Sequence, residues 1–140
     1  MSSLLLALVL VAPAAAQTID AASIARYRAL LADNAAGRPA LLPAAPLTGT
    51  SSLAILDEVV TWDRLRRESA RAPFADYAAF LPGHRDWPQA ATLRRLAERA
   101  ITDDTPADAV IRHFTALPPL TAEGKWRLAE ALANSGRMAD

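Results

Sequence analysis

The chain has 140 residues, 52% hydrophobic and 21% charged, which fits one globular domain and excludes a disordered chain. Formal net charge is zero, which excludes the excess of Lys and Arg that phosphate neutralisation on nucleic acid demands. Cysteine is absent, so packing alone must hold the fold.

Met1 to Ala16 read MSSLLLALVLVAPAAA. The apolar run Leu4 to Val11 has the length of a signal-peptide core, and Ala14-Ala15-Ala16 supplies the small residues that signal peptidase requires. The run is too short to cross a membrane as a helix, which takes about 20 apolar residues. The expectation is a signal peptide over residues 1–16, cleavage before Gln17, and a periplasmic helical module over residues 17–140.

A helix is predicted from Asp20 to Asn34, with Ile24, Tyr27 and Leu31 on one stripe, Asp20 as its cap and Asn34 and Gly37 at its end. Pro39, Pro43 and Pro46 then interrupt regular structure through Thr50, with a short helical turn expected around Leu41 and Leu42. The stretch SSLAILDEVVTWDRLRRES starts the next helix at Ser51 or Ser52. Leu53, Leu56 and Val60 form one stripe and Ile55, Val59 and Trp62 a second, which predicts packing on two neighbours.

Pro73 opens a short helix with Phe74, Tyr77, Ala78 and Leu81 on one face. It turns at Pro82-Gly83, and after Trp87-Pro88 a longer helix carries Leu93, Leu96, Ala97, Ala100 and Ile101 on one side. Thr105-Pro106-Ala107-Asp108 reads as a capped helix start that buries Val110, Ile111 and Phe114, and Pro118-Pro119 ends that helix. Thr121 caps the last helix, with Trp126, Ala129 and Ala133 on one stripe and Leu128 and Leu132 beside it, and Ser135-Gly136 stops it.

Arg95-Leu96-Ala97-Glu98 recurs as Arg127-Leu128-Ala129-Glu130, a spacing of the size seen in helical-hairpin repeats. No strand-like alternation is present. The predicted fold is all-α, with stacked helical hairpins forming an α-solenoid. In such a stack the last helix, around Trp126 to Leu132, would fray or self-associate where no further repeat covers it.

Several segments carry a resemblance: Val60-Thr61-Trp62-Asp63-Arg64-Leu65-Arg66, the run from Pro73 to Leu81, His84-Arg85-Asp86-Trp87-Pro88 followed by Leu93 to Glu98, and Pro118-Pro119-Leu120-Thr121. From about Arg26 to Arg137 the chain resembles the N-terminal superhelical region of the soluble lytic murein transglycosylases, of alphaproteobacterial type. The resemblance implies a periplasmic helical scaffold that joins a catalytic domain in embracing a peptidoglycan strand. That family cleaves between N-acetylmuramic acid and N-acetylglucosamine, leaving a 1,6-anhydro end, through a lysozyme-like domain that lies beyond the resembling region. The implied partners are therefore the glycan strand or that catalytic domain. Two alternatives are the start of a full-length enzyme of this family and a helical-repeat adaptor for an envelope protein.

Glu68-Ser69 matches the residue pair at the family's catalytic glutamate, but Arg66, Arg67 and Arg71 surround it and no Gly-Leu-Met-Gln segment follows. Glu98, Asp103, Asp104 and Asp108 are acids of the right type for glycosidic chemistry, with Asp103 and Asp104 reading as turn residues. His84 and His113 have no third ligand at a metal-site spacing. Trp62, Trp87 and Trp126 suit sugar stacking but read as core, because an indole dominates a small alanine-rich interior. Arg64, Arg66, Arg67, Arg94, Arg95 and Arg99 read as solvated helix faces that an anionic glycan could also meet. No residue is assigned as catalytic, cofactor-binding or metal-ligating, and no cofactor is expected.

Overall fold

The computed structural model describes residues 19–38, 52–67 and 71–136. The expected signal peptide, the turn around Leu41 and Leu42, and Glu68-Ser69 lie outside the described residues. Within them the chain is all-helical: α1 (Ala21–Ala35), α2 (Ser52–Leu65), α3 (Phe74–Phe80), α4 (Ala90–Arg99), α5 (Ala107–Ala116) and α6 (Ala122–Asn134), with a 3-10 turn, Leu81–Gly83, after α3. No described residue is in a strand.

Local chemistry sets the helix ends. The Asp20 carboxylate accepts the Ser23 amide at 2.7 Å to cap α1. At the other end Gly37 turns left-handed at φ 71°, the Gly37 amide donates to Asn34 O and the Arg38 amide to Asp33 O, the paired bonds of a Schellman stop. Thr121 caps α6 by accepting the Gly124 amide at 2.9 Å. Thr105 does not cap α5 as the sequence suggests. Its hydroxyl accepts the Thr102 amide at 2.9 Å, which closes the preceding turn, and Pro106 stands at the cap position with no side-chain bond. The Ala109 amide instead donates to the Pro106 carbonyl at 2.9 Å.

The helices pack in consecutive pairs, α1 with α2, α3 with α4, and α5 with α6, and α4 also packs on α6. Tyr27 and Val60 tie the first pair. Leu65, Tyr77, Phe80, Leu81, Leu93 and Ala97 form a second cluster. Phe74, Ile101, Val110, Phe114 and Ala131 form a third, and Ala100 touches both of these. The stripe predicted on α4 is thus the buried one.

On α2 the predicted stripe of Leu53, Leu56 and Val60 packs with Tyr27, and Trp62 of the second stripe meets the next cluster, but Ile55 is exposed while Ala54 is buried. On α6, Trp126 is 55% exposed while Gly124 and Ala131 are buried. The Arg-Leu-Ala-Glu recurrence does not place equivalent residues either. Leu96, Ala97 and Glu98 are buried, whereas Ala129 is exposed and Leu128 and Glu130 are half-buried.

Candidate functional site

The most deeply buried polar side chain among the described residues is the Glu98 carboxylate, at 2% exposure near the end of α4. It accepts the Leu120 amide at 2.6 Å, the Thr121 amide at 2.8 Å and the Thr121 hydroxyl. Amides at a helix start lack partners within the helix, and a negative charge suits the positive end of its dipole. Glu98 therefore caps α6 from another helix and joins the two. Thr121 passes the same order inward, because its hydroxyl donates to Glu98 and accepts from the Gly124 amide. Gly124 is what lets α6 approach, since a Cβ there would collide with the Glu98 carboxylate.

The neighbourhood of Glu98 extends to His113 on α5. His113 is buried, packs edge-on against Phe74 and Phe114, and leaves Nδ1 without a hydrogen-bond partner. Burial pushes its pKa below the usual histidine range, the Glu98 charge pulls the other way, and the Arg94 charge adds to the lowering. Arg94 itself donates to the Pro118 carbonyl and so clamps the α5–α6 connector to α4.

The other candidates are dispersed. Asp103 is 90% exposed at its side chain and pairs with Arg127 at 2.7 Å, and Arg127 also reaches Glu130 at 3.1 Å. These residues border an open cleft of about 220 Å³ lined also by Thr105, Val110 and Asn134. Asp104 and Asp108 are exposed. His84 stacks on Phe80 and its Nδ1 lies 2.7 Å from the Phe80 carbonyl, which only accepts, so Nδ1 carries a proton. Its Nε2 lies 3.6 Å from Glu58. Among the described residues no group of three His, Asp or Glu is placed to hold a metal.

Of the three indoles, Trp62 and Trp87 meet edge-to-face at 6.5 Å and join Phe80 and His84 in one aromatic cluster. Trp62 Nε1 donates to Pro88 O at 2.8 Å, which ties α2 to the HRDWP connector. Trp126 stands outside any core cluster, with Arg127 lying 4.6 Å over its ring. Its expected burial is corrected by this exposure. The physical reason is Glu98: the side of α6 that turns inward must be small enough to sit beside that carboxylate, and an indole is not.

The arginines at and just beyond the end of α2 are also engaged. Arg64 pairs with Asp76 at 2.8 Å, and Arg66 and Arg67 both pair with buried Asp63. Burial works against the Asp63 charge, but the bonds and charges of Arg67 and Arg66 outweigh it and leave the carboxyl below its usual range. Asn34 completes that junction by donating to Val60 O at 3.1 Å and Asp63 Oδ2 at 3.3 Å. Burial, then the hydrogen bond and charge of Asp57, push the Tyr27 phenol up to about 12. Arg95 and Arg99 are exposed on α4.

Sequence reasoning missed Glu98 as a capping residue and Asn34 as a buried tie. The one local signal was Gly124, a poor helix former in the first turn of an otherwise alanine-rich helix, which marks a close approach. Comparison with protein-family descriptions, curated proteins and solved structures finds no match to this chain.

Proposed function

We propose that this chain is a non-catalytic periplasmic helical module of a peptidoglycan lytic transglycosylase, built as a short α-solenoid and acting as a scaffold that helps embrace a glycan strand. The observation that carries the architectural half is the engagement of Glu98. A general acid must reach a substrate oxygen, and this carboxylate is sealed beneath three donors of its own chain. The interior carboxylates of Asp63 and Glu98 both join helices, as a scaffold requires. Support for the cell-wall half comes from the resemblance carried by the WDRLR, HRDWP and PPLT segments, of which Trp62, His84 and Trp87 share the aromatic cluster.

The test is incubation of the purified chain with murein sacculi, followed by chromatographic analysis of soluble muropeptides. The expected result is no product with a 1,6-anhydro end. Release of such products in proportion to chain concentration overturns the non-catalytic reading.

A further inference from the structure

The outward side of α6 carries an exposed apolar seam with coiled-coil spacing. Ala122, Trp126, Ala129 and Ala133 are all exposed and follow one another at intervals of four, three and four residues. In heptad terms they occupy alternating d and a positions. Gly124 and Ala131 fall at f, the point farthest from such a seam, and both are buried against the rest of the chain. The seam is therefore opposite the internal packing face and open to a second helix. Trp126 at 55% exposure is the most exposed large hydrophobic side chain described.

Charge decides what second helix fits. Lys125 occupies g on one flank, and Glu123 and Glu130 occupy e on the other. In an antiparallel pair the e flanks face each other, which sets Glu123 and Glu130 of one helix against the same acids of the other. In a parallel pair g faces e of the next heptad, so Lys125 meets Glu130 of the other helix, and twofold symmetry makes that contact twice. Lys125 forms no ion pair within the chain among the described residues. Glu130 is 39% exposed at its side chain and contacts Arg127, leaving room for a second cation.

We propose that this face docks a second copy of the same chain, as a parallel two-helix seam in which Trp126 and Ala129 meet their own counterparts and Lys125 pairs with the second copy's Glu130. The alanines at d and a let the helices come close enough for the indoles to pack. The 13 residues of α6 span about 20 Å, so the contact is smaller than a standard interface of about 800 Å² per partner, and the dimer is weak. A dissociation constant on the order of 100 μM is expected. The inference stands apart from the cell-wall reading and survives if the chain has no affinity for glycan.

Sedimentation equilibrium of the full chain up to about 1 mM, with circular dichroism to confirm that each variant folds, gives the test. The expected result is a monomer–dimer equilibrium that Trp126→Ala abolishes. Lys125→Glu and Glu130→Lys should each weaken it roughly tenfold, through two symmetry-related pairs of modest strength, and the double reversal should restore it. Because the chain has no native cysteine, Ala129→Cys reports register directly. Oxidation should link it as a covalent dimer, while Arg112→Cys, at an exposed position of α5 away from the seam, should not cross-link. A monomer throughout, a dimer indifferent to the charge reversals, or one in which Ala129→Cys fails to cross-link each overturns the proposal.

Discussion

Replacing Gly124 by alanine should have opposite effects depending on whether Glu98 is present. A Cβ at position 124 would stand inside van der Waals contact with the Glu98 carboxylate. Long acidic side chains usually swing away at little cost, but this one holds the Leu120 and Thr121 amides. Relief of the overlap means overpacking strain of about 1–3 kcal/mol or loss of a charge-assisted bond worth about 1.5–3 kcal/mol. Alanine's helix propensity returns up to about 1 kcal/mol. Gly124→Ala should therefore destabilise the chain by about 1–2 kcal/mol. Glu98→Ala alone, which leaves two amides at the start of α6 without their acceptor, should cost about 2–4 kcal/mol. In the Glu98→Ala background the collision disappears, and Gly124→Ala should be neutral or stabilising by up to about 1 kcal/mol. Urea unfolding followed by circular dichroism on the four proteins gives the coupling. Equal effects of Gly124→Ala in both backgrounds would refute the account of the α4–α6 junction.

Three further outcomes follow from the same contacts. Buried His113 favours its neutral form, so the unfolded chain binds more protons between its lowered folded pKa and about 6.5, and stability should rise with increasing pH through that window and level off above it. Urea midpoints from pH 4.5 to 8 should show this slope in the native chain and a flatter profile in His113→Gln. Asn34→Ala should cost about 1–3 kcal/mol by removing the donor to Val60 O and Asp63, whereas Asp33→Ala, which breaks only the exposed pair with Arg38, should stay within about 0.5 kcal/mol in the same unfolding assay. Trp62→Phe should lose about 1 kcal/mol with its bond to Pro88 O, and its indole proton should be the resonance that disappears in the NMR spectrum.

The fold was legible wherever local chemistry decides. Asp20 and Thr121 were readable as caps because each side chain bonds an amide three residues away. The α4 stripe was readable because Leu93, Leu96 and Ala97 recur at the helical period and nothing competes for that face. The site was less legible because its bonds span distant positions. Glu98 reads as one of four acids of the right type for glycosidic chemistry until α6 starts against it, more than twenty residues later. Trp126 shows the opposite failure. Its size marked its stripe as the core, yet the buried face of α6 was chosen by closeness to Glu98, which favours Gly124 and Ala131. The Thr105-Pro106-Ala107-Asp108 pattern reads as a capped start, but the Thr105 hydroxyl accepts the Thr102 amide on its other side.

Co-sedimentation of the purified chain with murein sacculi, with the supernatant analysed for 1,6-anhydro muropeptides, tests the proposed scaffold role most directly. The account expects the chain to pellet saturably with sacculi and to release none of these products. Failure to pellet would contradict the glycan-embracing role, and anhydro products in the supernatant would contradict the non-catalytic one.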